Sequence, residues 1–239
     1  MLSKEIGWTI TDPSKKVFII PPEKLNIKEC GITGGLKWCP AFHEMHQNIF
    51  IIRSPFDCTL IADDEGDFAF DAPFSNPKSQ GFIGANPRDR NNYEHPVVQI
   101  IYDIVWCTDT PDTWIETLPP FLHFHELDWI SNVRYILGSF DVHAWPRNVN
   151  ICFEIMKHNQ HIKIKKGMPL LYIKFTNKTK PSTKYKLKDL NDKDNSQLHQ
   201  VGHVNSLVPT TFKEGYLKWS EIFNRAKNMR KNRRFMKGK

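Results

Sequence analysis

The sequence predicts a mainly β protein: an antiparallel β-sandwich or jelly-roll-like domain followed by one C-terminal amphipathic α-helix. Three observations predict it. Short runs rich in β-branched and aromatic residues recur as far as about residue 175, each bounded by Pro, Gly, Asp or Asn. No helical periodicity alternates with these runs, which argues against a parallel α/β sheet. Only beyond residue 210 do apolar residues recur every three or four positions.

The elements follow in order. "KVFII" (16–20) reads as a strand stopped by Pro21-Pro22, because proline has no N–H to give to a ladder. "NIFIIRS" (48–54) and "DCTLIA" (57–62) are strands joined by a tight connection through Pro55. "DFAFD" (67–71) alternates with period two after the acidic turn "DDEG" (63–66). "HPVVQIIYDIVWC" (95–107) reads as one long strand, and "TDTPDT" turns it back into "WIETL" (114–118) as a β-hairpin ended by Pro119-Pro120. "FLHFHELDW" (121–129) reads as a half-buried strand. "NICFEIM" (150–156), "HIKIKK" (161–166) and "PLLYIKF" (169–175) close the body, with Gly167 at a bulge or turn.

Composition divides the chain into three parts. Residues 1–175 form the β-sandwich domain, 176–209 a polar linker rich in Lys, Asn, Asp and Ser, and 210–239 a helix with a basic tail. In the last part Thr211 and Glu214 make a capping box, and Phe212, Tyr216, Trp219 and Phe223 share one face. A chain of 239 residues can bury a sizeable core. It holds no apolar run long enough to cross a bilayer, so no membrane partner is expected, and its N-terminus lacks the apolar stretch of a secretory signal. Five scattered cysteines, odd in number and never spaced as CxxC, suggest reduced thiols in a cytosolic setting.

The net charge of +7 is local. Residues 225–239 carry eight Lys or Arg and no acid, so the remaining 224 residues sum to −1. Residues 57–128 hold fourteen Asp or Glu against three cations. The tail, with Arg225, Lys227, Arg230, Lys231, Arg233 and Arg234, is the candidate polyanion contact, since such a run releases counterions from a phosphate backbone without reading sequence. A solvated helix end carries the same residues.

The candidate metal ligands are His123 and His125, which share one face of an extended strand, with His143 as a distant third. A divalent metal held there would suit a cupin-like oxygenase. Against it, Glu126 points away on such a strand, and two histidines beside Phe121 and Phe124 also fit an ordinary strand rim. His199 and His203 lie four apart in a polar stretch, His158 and His161 flank a turn, and Cys39, His43 and His46 match no zinc spacing. The acidic turn at Asp63, Asp64, Glu65 and Asp67 lacks the order of a calcium loop. Phosphate-loop, nucleophile-elbow and dinucleotide fingerprints are missing, and no local signature marks a Cys–His nucleophile.

Four stretches carry a family resemblance: "WCPAF" (38–42), "NIFIIRSPFD" (48–57), "GSFDVHAWPR" (138–147) and "IKIKKGMPLLYIKF" (162–175). The last two hold Gly-x-Phe-Asp-x-x-x-Trp-x-Arg and Gly-x-Pro-Leu-x-Tyr-Ile-x-Phe. From Trp38 to Phe175 the chain resembles an uncharacterised family of marine tailed phages with distant bacterial relatives. The resemblance implies a phage or phage-like source and a β-rich body, and it supplies no activity. Physically, Asp141 can cap a turn, Trp145 can plug the sandwich end, and Arg147 can pair with an acid; the alternative is that the three line a ligand cleft.

The expected function is therefore non-catalytic: an accessory or assembly protein of a phage, in the virion or the host cytoplasm. It would bind a virion or host protein or further copies of itself. A cupin-like metal enzyme and a nucleic-acid-associated protein acting through the tail are the alternatives.

Overall fold

The computed structural model describes residues 4–10, 18–32, 34–62, 68–71, 83–85, 95–101, 104–144 and 147–190. The described residues are mainly β. Five strands form one sheet in the order β11 (Ser139–Asp141), β9 (Thr113–Leu118), β15 (Pro169–Asn177), β3 (Ile49–Arg53) and β2 (Glu23–Lys24). A second sheet runs β12 (Arg147–Asn148), β8 (Ile104–Cys107), β1 (Lys4–Ile10), β16 (Tyr185–Asp189). A third holds β10 (Val133–Ile136), β13 (Ile151–Ile155), β7 (Val97–Ile100) and β6 (Ile83–Ala85). The smallest is β14 (His161–Ile164), β4 (Cys58–Ala62), β5 (Phe68–Asp71). β1 and β16 run parallel; the other described pairs are antiparallel.

Pleat alternation sets the layers. Along β15, Leu171, Ile173 and Phe175 point into the main core, whereas Tyr172 points the other way. β3 does the same: Phe50 and Ile52 face inward, Ile49 and Ile51 outward. Trp106 on β8 lies with its ring centroid 5.5 Å from that of Phe175, and Tyr185 on β16 lies 6.0 Å from it. The second sheet thus packs on the inner face of the five-stranded sheet. The outer face is also covered. Leu25, Cys30, Ile49, Ile51 and Tyr172 form a second cluster, roofed by Ile32, Leu118, Phe121 and Leu122. This roof consists of the 25–32 segment and the 3₁₀ turns at Phe121–Glu126, and helix α1 (Pro40–Met45) joins it through its C-cap His46, whose ring lies 5.5 Å from that of Phe121.

Several sequence expectations need correction. "FLHFHELDW" is not a strand: Phe121–Glu126 is 3₁₀-helical, closed by His123 N–H to the Pro120 carbonyl (2.8 Å) and Leu127 N–H to the Phe124 carbonyl (3.1 Å). Pro119 and Pro120 offer no N–H, so β9 cannot run on and the chain coils. The expected 95–118 hairpin does not form. The run 95–107 breaks into β7 and β8 in different sheets, and β9 pairs with β11 and β15. Strands buried on both faces are continuously apolar, so no periodicity marks such a break.

The 176–209 segment is not loop throughout. β15 runs to Asn177, and "YKLKD" forms β16, with Tyr185 buried. Lysine-rich composition hid that period-two pattern. β1 also went unread, while the "KVFII" expectation finds no strand at residues 18–20, where Ile19 is nonetheless buried.

Other readings agree with the fold. β4 and β5 pair antiparallel, Thr59 opposite Asp71 through Ala62 opposite Phe68. Gly167 has φ +84°, which favours glycine; its N–H donates to the Ser54 carbonyl (2.8 Å), and β15 shifts register between Pro169 and Leu171. None of the five cysteines is in a disulfide. No described helix is long and apolar enough to cross a membrane. The expected C-terminal helix, its capping box and the basic tail lie outside the described residues.

Candidate functional site

His123 is the sequence candidate that the fold buries, at 6% exposure. It sits in the 3₁₀ segment against the outer face of the five-stranded sheet. Its Nδ1 is in close hydrogen-bond contact with the Tyr172 hydroxyl, and its Nε2 lies 3.9 Å from Cys30 Sγ. Glu126, one 3₁₀ turn on, brings a carboxylate oxygen to 4.0 Å from Nε2.

The proton positions follow from the partners. The Leu122 backbone hydrogen-bonds the Tyr172 oxygen, which leaves the phenol's own proton for His123 Nδ1. The imidazole proton then sits on Nε2, facing Cys30 and Glu126. Cys30 in turn donates its S–H to the Asn26 carbonyl at 3.4 Å. The result is a relay from the Leu122 backbone through Tyr172, His123 and Cys30 to Asn26. It links the 3₁₀ turn, β15 and the 26–30 turn.

Electrostatics keep every member neutral. Burial is the first cause in each case: it lowers the His123 pKa and raises those of Cys30 and Tyr172. Glu126 and Glu29 push the Cys30 thiol further up. A cysteine nucleophile needs the opposite arrangement, a thiolate stabilised beside an imidazolium. The cluster therefore lacks the electrostatics of a Cys–His nucleophile, and its geometry suits a latch that holds the roof to the sheet.

A measurable consequence concerns acid. Because folding lowers the His123 pKa from 6.5, the unfolded chain binds more protons than the native one below about that pH. This contribution to stability is whole above pH 6.5 and is lost as pH falls. Urea midpoints measured at pH 7.5 and 5.0 should drop more for the wild type than for His123→Gln; equal drops would refute the sign. Tyr172→Phe, which strands His123 Nδ1, should cost about 1–3 kcal/mol at neutral pH.

The remaining sequence candidates are dispersed. His125 shares the 3₁₀ turn, its ring 6.5 Å from that of His123 and nearly parallel, but its side chain is 65% exposed. His143 lies elsewhere, its Nδ1–H donating to the Thr108 carbonyl at 3.0 Å. Among the described residues, no three His, Cys, Asp or Glu are grouped to hold a metal ion. Asp141 caps a turn: its Oδ1 accepts the N–H groups of His143 (2.9 Å) and Ala144 (3.0 Å). Arg147 donates to the Asn148 carbonyl and places its guanidinium 5.3 Å from the Phe140 ring centroid, in surroundings whose burial lowers its pKa. Trp145 and the six basic tail residues, Arg225, Lys227, Arg230, Lys231, Arg233 and Arg234, lie outside the described residues.

Large apolar side chains of the 34–45 stretch and of the 3₁₀ turn are exposed. Trp38 is 78% exposed, Met45 63%, Leu36 55% and Phe124 39%. Contacts beneath make the roof one layer: the His46 ring lies 5.5 Å from that of Phe121, and Cys30 meets His123. Pro40 at the first helical position starts α1, a six-residue helix with no buried residue. Exposed Lys28, Glu29, Glu44 and Glu126 lie on the same segments. Large apolar side chains left exposed close together often mark an interaction surface.

Sequence reasoning singled out His123 for the wrong companion. Cys30 and Tyr172 stand 93 and 49 positions away, so no local spacing could have found them. The exposure of Trp38 likewise had no signal in the sequence. Comparison with protein-family models and with curated proteins returned no match.

Proposed function

We propose that this chain is a non-catalytic binding and assembly protein whose working surface is the roof over the five-stranded sheet. The observation that carries this reading is the exposed Trp38, with Leu36, Met45 and Phe124, on a layer latched down by a neutral relay. A rigid layer loses little freedom on binding, and exposed aromatic and Met side chains are the residues that bury best at an interface. The jelly-roll arrangement and the phage accessory role, in the virion or the host cytoplasm, extend this reading from the motif resemblance.

The test uses the full chain and a variant with Leu36→Ser, Trp38→Ser and Met45→Ser. These side chains are exposed, so the thermal midpoint should hardly move. Light scattering across a concentration series should show the wild type self-associating and the variant staying monomeric. A wild type that is monomeric throughout and absent from purified particles would defeat the proposal.

A further inference from the structure

We infer that His95 and His158 bind a borderline divalent cation such as Zn²⁺ or Cu²⁺, at a site that does not depend on the roof. The two rings stand at one end of the β10–β13–β7–β6 sheet, their centroids 5.7 Å apart and their planes at 87°. Register brings them together. β13 and β7 pair antiparallel with Glu154 opposite Val97, so His95, two residues before Val97, falls beside the turn that follows β13 and carries His158.

Both histidines sit on fixed backbone. The Ile155 N–H donates to the Pro96 carbonyl at 3.0 Å, and the Met156 N–H donates to the Asn132 carbonyl at 2.7 Å. Beyond His158, Asn159 takes a φ of 61° less 5°, that is 56°, and its N–H donates to the Ala62 carbonyl at 2.7 Å, which ties the turn to β4. These bonds hold the rings side by side before an ion arrives, so little ordering remains to be done on binding.

Two unused nitrogens mark the pair. Among the described residues, the enclosed side-chain polar atoms without a hydrogen-bond partner are His46 Nε2, His95 Nδ1, Trp129 Nε1, Glu154 Oε1 and His158 Nε2. Two of these five lie on neighbouring imidazoles. An enclosed nitrogen without a partner is costly, and a metal ion is a partner that takes a lone pair from both rings at once. The other three differ: the His46 Nδ1–H already donates to the Phe42 carbonyl, an indole N–H has no lone pair to give, and Glu154 holds Arg134 through its second oxygen. The ring spacing also fits. Two imidazoles sharing an ion at about 2.1 Å per nitrogen have centroids roughly 5 to 6 Å apart at tetrahedral or wider angles.

Imidazole suits zinc, copper and nickel among the divalent metals. No further His, Cys, Asp or Glu is grouped with the pair among the described residues, so water completes the coordination and the site is an open one. Both histidines are half-buried, whereas Lys157, Asn159 and Gln160 beside them are exposed. An ion can therefore enter from solvent, and water screens the Lys157 charge.

The test uses full-length protein without a histidine tag, with zinc chloride as the probe. In ¹H–¹⁵N spectra of the wild type, the first equivalent of zinc should shift the ring nitrogens of His95 and His158 before those of the other histidines. Zinc affinity by calorimetry should fall about tenfold or more in His95→Gln and in His158→Gln. His161→Gln, at the exposed start of β14, should leave it unchanged. Thermal midpoints without zinc check that the variants fold, and the wild-type spectra decide the matter if they do not. First shifts at other imidazoles, equal affinity in wild type and both variants, or no uptake at tens of micromolar zinc would overturn the site.

Discussion

Phe175→Ala is expected to lower the unfolding free energy by about 3–5 kcal/mol. Phe175 is 0% exposed, and its ring meets Phe50 within its own sheet at 5.7 Å. Across the core it meets Trp106 at 5.5 Å and Tyr185 at 6.0 Å. It is therefore the joint between two sheets, and truncation removes contacts on both sides at once. Backbone on every side is held by ladders, so the cavity can collapse only partly. For a chain of this size the change corresponds to a fall of roughly 10–15 °C in thermal midpoint. Phe175→Leu keeps most of the volume and should cost about 1.5 kcal/mol or less. Calorimetry or urea unfolding of the two variants checks this, and a loss below about 1 kcal/mol for the alanine change would mean that the sheets are joined elsewhere.

Arg134→Met is expected to cost about 3 kcal/mol, because it leaves a carboxylate buried alone. Glu154 is 0% exposed on β13, and Arg134 stands directly opposite it on β10. Both Arg134 Nε and Nη2 contact Glu154 Oε2, while Oε1 is buried with no hydrogen-bond partner. The carboxylate therefore depends on this guanidinium. Since the Arg134 side chain is 62% exposed, water reaches its side of the pair, which places the cost at the low end of the range for buried ion pairs. The double variant Arg134→Met with Glu154→Leu removes the charge with its partner and should recover most of the loss. A double-mutant cycle is the measurement: coupling above about 2 kcal/mol supports the buried pair, and coupling below about 0.5 kcal/mol would reduce it to an ordinary surface bridge.

Local chemistry was legible where cause and effect lie within a few residues. Asp141 was readable as a turn cap because its acceptors' donors, the N–H groups of His143 and Ala144, follow it immediately. Gly167 was readable as a turn because its left-handed φ favours glycine there. The strands at 49–53, 58–62, 151–155, 161–164 and the 169–175 part of β15 were readable from β-branched and aromatic runs. The 3₁₀ fold of Phe121–Glu126 was not, since its apolar spacing fits a strand as well as a tight coil and the two prolines before it decide between them. β16 was masked by lysines that point outward while Tyr185 turns in.

The sequence by itself determined that the protein is mainly β and that its positive charge gathers at one end of the chain, because both follow from local composition and short-range pattern. Only the tertiary structure decided which strands share a sheet, that β7 and β8 part company, and that His123 answers to Cys30 and Tyr172 instead of His125. It also decided that Trp38 faces water while Trp106 is enclosed, although both are tryptophans in apolar surroundings along the chain. The physical reason is that pairing, burial and buried hydrogen bonds are relations between residues distant in sequence. A pleated strand alone has two possible faces, and only the layers packed on it determine which becomes core and which becomes surface.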